Sequence, residues 1–552
     1  MRFRKTKRQM ISAVDTAWLH MDAPTNLAVI TGVISFSKPL DFERLIATMD
    51  ARLLTYRRFR QRVHEPLIGP ACWEDDPYFD ITNHIHAISL PEPANHEVLQ
   101  VFVSELMSRP LEYSRPLWDF YYVDNYEEGS ALVCRMHHSL ADGIALVQVL
   151  LSTADLEADA PWPEPPESPY EDLSPLARLF VPAVIASRKM RQSLHNTRHM
   201  VYESFENFLD VEKRRSLAKL GMRGSLALGK LLLMLPDRKT VLKGDCGVPK
   251  KAVWTKAISV SEVKAIGHAM DSTVNDVLLT VMTGALRRYM EIHQDQVDGV
   301  NVRAIIPVNL RPPGEIRQLG NQFGLVFLSL PIGIEDPVRR LQIMKKRMDQ
   351  IKSTPEAVVA FGILNFMGMS PGKIEDLIRY IFGLKGSMVV TNVPGPRRPL
   401  YLAGEMITGL MFWVPTPANL GLGISIISYA GEVAVGVATD KGIIPDPETI
   451  VAAFDDEFDL LRSHLRPLDE SRAQKPQPKQ EKEADEIELK VSDDGIGDDI
   501  NEQVDTLADE QDAGSLEDDD DQPGRCQAMT KKGTRCKNRA LPGSRYCRVH
   551  NR

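Results

Sequence analysis

Residues 134–147 read Cys134-Arg-Met-His-His-Ser-Leu-Ala-Asp-Gly-Ile-Ala-Leu-Val147. An apolar run over 130–136 leads into two adjacent histidines, His137 and His138. Four residues after the second stands Asp142-Gly143, and an apolar pattern continues from there to about Ser152. The pattern predicts a strand over 130–136 and a helix starting near Asp142. Junctions where a strand end feeds a helix start are common places for sites in α/β proteins. A histidine there is a candidate general base, because its ordinary pKa lies near neutrality. Asp142 is suited to orient a ring or anchor the backbone, and Gly143 permits a tight turn with no Cβ to clash. The same residues also fit a satisfied histidine pair at a strand end, followed by a plain turn and helix cap. A third reading makes His137, His138 and Asp142 metal ligands. Adjacent side chains on a strand point to opposite faces, which argues against one shared ion.

Working outward, strands and helices alternate. Residues 26–37 pattern as a strand, 41–53 as a helix capped by Asp41, 97–108 as a second helix, and 117–125 as a strand paired with 130–136. Residues 157–175 are rich in Pro and Glu and pattern as a linker. Residues 176–240 pattern as helical and carry 13 Lys+Arg against 5 Asp+Glu. That segment suits a solvated insertion or a basic amphipathic patch on anionic lipid. Beyond 251, strand-like segments fall at 252–259, 301–308, 324–331, 387–391, 422–429 and 433–438. Helix-like segments fall at 261–269, 274–292, 336–352 and 447–463. The alternation predicts an α/β fold. The uncharged apolar window around 406–431 contains Pro415, Pro417 and several glycines, so it is expected to form two buried strands with a turn rather than a membrane span.

The chain has 552 residues, 43% hydrophobic, enough for several domains or one large two-part fold. That excludes a disulfide-stapled mini-protein and a wholly disordered chain. The net charge of −9 hides three blocks. Residues 1–467 are nearly neutral, 468–524 carry 5 Lys+Arg against 21 Asp+Glu, and 525–552 carry 9 against none. The acidic block has no aromatic residue and is expected to be disordered. The basic N-terminus is followed by no apolar stretch of signal-peptide length, so cytoplasmic residence is expected.

His137-His-Ser-Leu-Ala-Asp-Gly143 resembles the HHxxxDG motif of the CoA-dependent acyltransferase superfamily, and the surrounding blocks narrow the resemblance to the wax ester synthase/diacylglycerol acyltransferase family. In order, these blocks are Val14-Asp-Thr-Ala-Trp-Leu-His-Met-Asp-Ala-Pro-Thr-Asn26, Ser114-Arg-Pro-Leu-Trp118 and Ser272-Thr-Val-Asn-Asp-Val-Leu-Leu279. Pro307-Val-Asn-Leu-Arg311, Leu319-Gly-Asn-Gln322, Asn392-Val-Pro-Gly-Pro396 and Ile427-Ser-Tyr-Ala-Gly431 complete the series. The resemblance covers roughly residues 10–465.

It implies two chloramphenicol-acetyltransferase-like domains, each a mixed sheet with flanking helices, with a tunnel between them. The expected division is 1–156 and 251–467 for these domains, 157–250 for the linker and basic helical insertion, 468–524 for the acidic linker and 525–552 for a basic tail. By resemblance His138 is the general base, taking a proton from an alcohol that attacks an acyl-CoA thioester with no covalent acyl-enzyme. His137 supports it, and Asp142 holds the loop through hydrogen bonds or an ion pair, with Arg311 a candidate partner. The tetrahedral oxyanion needs a donor. Asn275 is the candidate, the alternative being that its amide caps the helix 274–292. Asp276 is expected as a first-turn helix acid. Trp118 fits core packing or the tunnel wall, and Asn392-Val-Pro-Gly-Pro396 fits a turn.

Long-chain acyl-CoA is the expected donor, and diacylglycerol or a fatty alcohol the acceptor, collected by peripheral contact with a membrane or lipid droplet. No cofactor is expected for catalysis. The alternative function is a catalytically silent lipid-binding or scaffolding protein of the same fold. In the tail, Cys526, Cys536, Cys547 and His550 form a Cys3His array suited to a structural zinc ion. The alternative is free thiols in a basic segment. Only Tyr546 is available there for base stacking, so nucleic acid is not the expected partner.

Overall fold

The computed structural model describes residues 8–66, 70–163, 233–310, 320–352, 383–416 and 420–464, with 360, 363 and 380 besides. All lie within one unit, Met1–Glu483. The first part runs β1 (Arg8–Met10), α1 (Ala13–Met21), β2 (Val29–Phe36), α2 (Phe42–Arg52), β3 (Gln61–His64), β4 (Cys72–Asp75), β5 (Ile85–Ile88), α3 (His96–Met107), β6 (Trp118–Tyr126), β7 (Gly129–His137) and α4 (Gly143–Leu151). The second part begins with β8 (Lys250–Trp254), β9 (Ile258–Ser259), α5 (Val260–Ala269), α6 (Val274–Ile292), β10 (Val302–Asn309), β11 (Phe323–Leu330) and α7 (Pro337–Lys352). It ends with β12 (Met388–Pro394), β13 (Tyr401–Leu402), β14 (Glu405–Trp413), β15 (Leu422–Tyr429), β16 (Glu432–Asp440) and α8 (Glu448–Ser463).

The first sheet has the order β13-β14-β2-β7-β6-β5. β7 is interior to it and buried at every position, so apolar residues fill consecutive positions over Ala131–Cys134 instead of alternating, and Ser130, Arg135 and His137 are buried with them. It runs antiparallel to β2 and β6, while β5 and β6 are parallel. The second sheet has the order β11-β10-β12-β15-β16-β8, with β9 against β16. It too is mixed, because β12 is parallel to both β10 and β15. A small third sheet, β1-β4-β3, completes the set. The expected α/β fold with two mixed sheets is the one found.

The window 406–431 does supply two strands, β14 and β15, but they belong to different sheets. β14 pairs with β2, Trp413 opposite Thr31, while β15 pairs with β12 and β16. The second half therefore donates two strands, β13 and β14, to the first sheet, so the boundary at 250/251 does not separate the sheets. β14 covers the edge of β2, an apolar strand that would otherwise present unpaired backbone groups. Between the sheets, Val33, Val133, Met411, Trp413, Ile427 and Ala438 share one buried cluster.

Caps fix several helix starts. Asp41 accepts from the Arg44 amide at 3.0 Å, as the sequence predicts. Thr273 and Asp276 form a reciprocal capping box at the start of α6. α6 is buried along most of its length, and Glu457 of α8 joins Arg340 of α7 and Arg288 of α6 at 2.6 Å each. Gly284 leaves the room for this, since a Cβ there would overlap both Arg340 Nη1 and Glu457 Oε2. Among the described residues, no helix is long and apolar enough to cross a membrane.

Candidate active site

β7 delivers the two histidines to the rim of the first sheet, where His137 lies opposite Val29 of β2. The His137 amide donates to Leu117 O at 2.9 Å, and the His138 amide to Ala28 O at 2.8 Å. The two rings then part into different surroundings. This separation disfavours a shared metal, and among the described residues no group of three or more His, Cys, Asp or Glu is placed to hold one.

His138 is buried, and its imidazole stacks on the indole of Trp18 with ring centroids 3.8 Å apart. Phe323 of β11 closes another side, 5.8 Å between centroids. Nδ1 of His138 and Nε1 of Trp18 are both buried without a hydrogen-bond partner. Burial drives the His138 pKa down to about 3, with the neighbouring His137 acting in the same direction. The ring is therefore neutral at physiological pH, able to accept a proton.

His137 is wholly buried and hydrogen-bonded. Its Nδ1 accepts from the Ser139 amide at 3.1 Å and lies 2.8 Å from Ser139 Oγ. Its Nε2 lies 3.3 Å from the Tyr113 hydroxyl, which donates to Asp22 Oδ2 at 2.9 Å.

A second network reaches His138 from the other half of the chain. Asn321, just before β11, donates through Nδ2 to His138 O and to Asp15 Oδ1, each at 2.8 Å. Asp15 also faces Arg58 Nη1 at 3.3 Å, and Arg58 donates to Leu140 O at 3.1 Å. Burial pushes the Asp15 carboxyl up and the Arg58 guanidinium down, each opposed by the other's charge. Asp142 caps α4, taking the Ala145 amide on Oδ1 at 3.0 Å and the Gln322 amide on Oδ2 at 3.2 Å. Residues 320–322 thus bind the histidine loop at both its aspartate and its main chain.

Gly143 opens α4, and an added Cβ would meet only Val414 Cγ1, at an ordinary 3.5 Å, and Ile30 Cδ1, at 4.0 Å. The turn itself does not require glycine, contrary to the steric expectation. Asn275 is not the cap of α6, because Thr273 is. Asn275 Oδ1 accepts instead from Asn392 Nδ2 at 3.1 Å, bringing two of the sequence blocks together. Trp118 is a core residue, its Nε1 donating to Phe59 O at 2.8 Å. Residues 392–394, expected as part of a turn, instead finish β12. Arg311 and the set Cys526, Cys536, Cys547 and His550 lie outside the described residues. Sequence reasoning gave no role to Trp18, Asp15, Asp22, Tyr113 or Asn321. Trp18, Asp15 and Asp22 lie in the N-terminal block and Asn321 in the block at 319–322, so the signal was present as a resemblance without a chemistry attached.

Solved structures share this architecture. The wax ester synthase/diacylglycerol acyltransferase from Marinobacter aquaeolei VT8 superimposes with a TM-score of 0.59 at 18% identity, over 83% of this chain and 99% of that one. The starter condensation domain of rhizomide synthetase RzmA gives 0.52 at 13% identity, over 83% and 94%. The fold is thus the one these two proteins have in common. Family models then match most of the sequence: the wax ester synthase/diacylglycerol acyltransferase catalytic domain over residues 11–278 and the WS/DGAT C-terminal domain over 319–462. The chain belongs to the wax ester synthase/diacylglycerol acyltransferase family and is an acyltransferase. Among curated relatives, "Probable diacyglycerol O-acyltransferase tgs1" of Mycobacterium tuberculosis is 25% identical over 440 residues, 78% of this chain and 89% of the relative. "Putative diacyglycerol O-acyltransferase Rv0221" of the same species is 24% identical, over 73% and 82%.

Proposed function

We propose that this acyltransferase moves a long-chain acyl group from acyl-CoA to diacylglycerol or a fatty alcohol, with His138 as the general base. The observation that carries this is the buried imidazole of His138, stacked on Trp18 and anchored at its main chain by Ala28 and Asn321 from the two halves of the chain. The imidazole takes the hydroxyl proton as the alcohol oxygen bonds to the thioester carbon. The carbonyl electron pair moves onto oxygen and returns as the C–S bond breaks, and the imidazolium protonates the departing thiolate. Burial makes that imidazolium a strong acid, which favours the second proton transfer. The developing oxyanion favours the first by placing negative charge close to the ring. His137 and Asp142 hold the loop, and Gly143 opens α4 against Val414 and Ile30. Asn275 is the candidate oxyanion donor, since Asn392 occupies only its carbonyl oxygen and its amide N–H groups are not used by that bond.

A cavity of about 490 Å³ lies between the sheets, its wall mixed: Val33, Met411, Ile427 and Trp254 on one hand, Glu97, Glu127, Lys256 and Glu432 on the other. It begins four residues along β2 from Val29, roughly 13 Å at the rise of a strand. Both substrates are poorly soluble, so the protein gathers them by peripheral contact with a lipid surface. Thiol release from palmitoyl-CoA, with hexadecanol or a diacylglycerol on a lipid surface, tests the reading. Release should require the acceptor and fall about 10²–10⁴-fold in His138→Ala. Release that persists in the variant would remove His138 from the role of base.

A further inference from the structure

The loop between α1 and β2 carries an acid that the acyl-transfer scheme leaves unused. Asp22 Oδ1 accepts the Ala28 amide at 2.6 Å, and Asp22 Oδ2 accepts the Tyr113 hydroxyl at 2.9 Å. The same Oδ2 lies 3.8 Å from His137 Nε2. The loop is folded back by the bridge between Ala23 and Asn26, and it is tied to the second half of the chain by Lys250 Nζ on Thr25 O at 2.6 Å.

The hydrogen bonds run in one direction. The Ser139 amide donates to His137 Nδ1, so that nitrogen carries no proton and Nε2 does. The Nε2 proton faces the Tyr113 oxygen, whose own proton is committed to Asp22. A carboxylate, which only accepts, can end this chain and still hold the Ala28 amide. The Ala28 carbonyl in turn accepts the His138 amide. Asp22 is therefore linked to the side chain of the first histidine and, across the one residue Ala28, to the main chain of the second. Burial acts against its charge, but His137, the Ala28 amide and Tyr113 together hold the carboxyl below the usual range.

We propose that Asp22 is a positioning residue for the catalytic pair: it fixes the proton of His137 on Nε2 and, through Ala28, the position of His138. This rests on His138 being the base. An asparagine at 22 offers one acceptor and one donor. If its oxygen keeps the Ala28 amide, its amino group opposes the Tyr113 hydroxyl, and Tyr113 can turn its proton only toward His137 Nε2. The imidazole proton then has to move to Nδ1, where Ser139 already donates. If the asparagine is reversed, the Ala28 amide loses its acceptor and His138 shifts.

The test uses the full chain. In Asp22→Asn, kcat for thiol release should fall roughly 10²-fold, the scale of a misplaced reacting group, while KM for palmitoyl-CoA stays nearly constant. Asp22→Glu, which keeps an acceptor-only group, should recover most of that loss. Tyr113→Phe removes the hydroxyl that joins Asp22 to His137 Nε2 and should also lower kcat, while the Ala28 amide keeps its acceptor on Asp22. Histidine-selective ¹⁵N spectra, with His137→Gln to assign the signal, give a readout that needs neither turnover nor a folded Asp22 variant. Wild type should show the His137 proton on Nε2 and none on Nδ1, and folded Asp22→Asn should show that signal altered. A wild-type proton on Nδ1, unchanged kcat in Asp22→Asn, or a loss confined to KM would each overturn the proposal. Turnover that survives in His138→Ala removes the base assignment instead, and the ¹⁵N result still reports on Asp22 and His137 alone.

Discussion

The indole of Trp18 lies face to face with the imidazole of His138, their planes 18° from parallel. The contact fixes the plane of the ring without supplying a hydrogen bond, since Trp18 Nε1 and His138 Nδ1 are both unpartnered. A general base must be aimed to within tenths of an ångström, and here flat packing contributes to the aim.

Truncating that surface should be costly in two ways. Trp18→Ala removes a buried aromatic and should lower stability by about 3–5 kcal/mol, the usual range for such cavities. It should also lower kcat, because the imidazole is freed to rotate. Trp18→Phe keeps a flat face and should retain most of both. Denaturant unfolding and thiol release on the two variants check this, and equal losses in Phe and Ala would show that the indole is needed for more than its face.

The low pKa of His138 has a signed consequence for stability. The unfolded chain takes a proton on this residue near pH 6.5, whereas the folded protein does so only at about 3. Between those values the unfolded state binds the extra proton, so stability falls as pH falls through this window. One such group amounts to about 2 kcal/mol between pH 7.5 and pH 5. Wild type should lose that much more than His138→Gln over the same interval in urea unfolding. The rate should show no acid limb from His138 between pH 5 and 8. A limb near pH 6.5 that vanishes in a variant of His138 would contradict the buried, neutral ring.

Asn321 is one amide group from failure of the same site. Asn321→Ala leaves Asp15 Oδ1 and the His138 carbonyl without this donor, which should cost about 1–3 kcal/mol. Asn321→Asp should be worse, since it sets a second carboxylate against Asp15. Calorimetric melting together with kcat for the two variants checks the order. Equal behaviour of Ala and Asp would mean that the charge of Asp15 is not felt there.

Gly284 is a purely structural prediction. Its replacement by Ala displaces Arg340 from Glu457 in a buried setting, and breaking such a pair costs about 3–5 kcal/mol. Unfolding of Gly284→Ala measures it. A change below about 1 kcal/mol would show that the helices shift apart cheaply.

Much of this was legible in the sequence, and the limits have physical causes. β7, β2, α2 and α6 announce themselves by unbroken or periodic apolar runs and by caps such as Asp41. α1 was missed because nine residues give little more than two turns and Asp15 is buried among its apolar neighbours, which blurs the periodicity. β3, β4 and β5 have four residues each, too few to alternate recognisably. The histidine pair and Asp142 were visible as a motif. The Asp15–Asn321 contact joins residues 306 positions apart, and no local pattern encodes it. The destination of β14 was invisible for a related reason: its composition says that it is buried, but not in which sheet.

That destination has a bearing on how the chain can be cut. A break between 164 and 232 would sever the covalent thread while leaving β14 hydrogen-bonded to β2, so the two pieces should stay together and co-elute under native conditions. Made separately, the piece ending near 163 would expose Val29–Phe36 as a bare apolar edge, a template for aggregation. Co-synthesis should rescue it. A mixed sheet built from both ends of a chain acts as a clasp, and it makes the two halves heritable only as a pair.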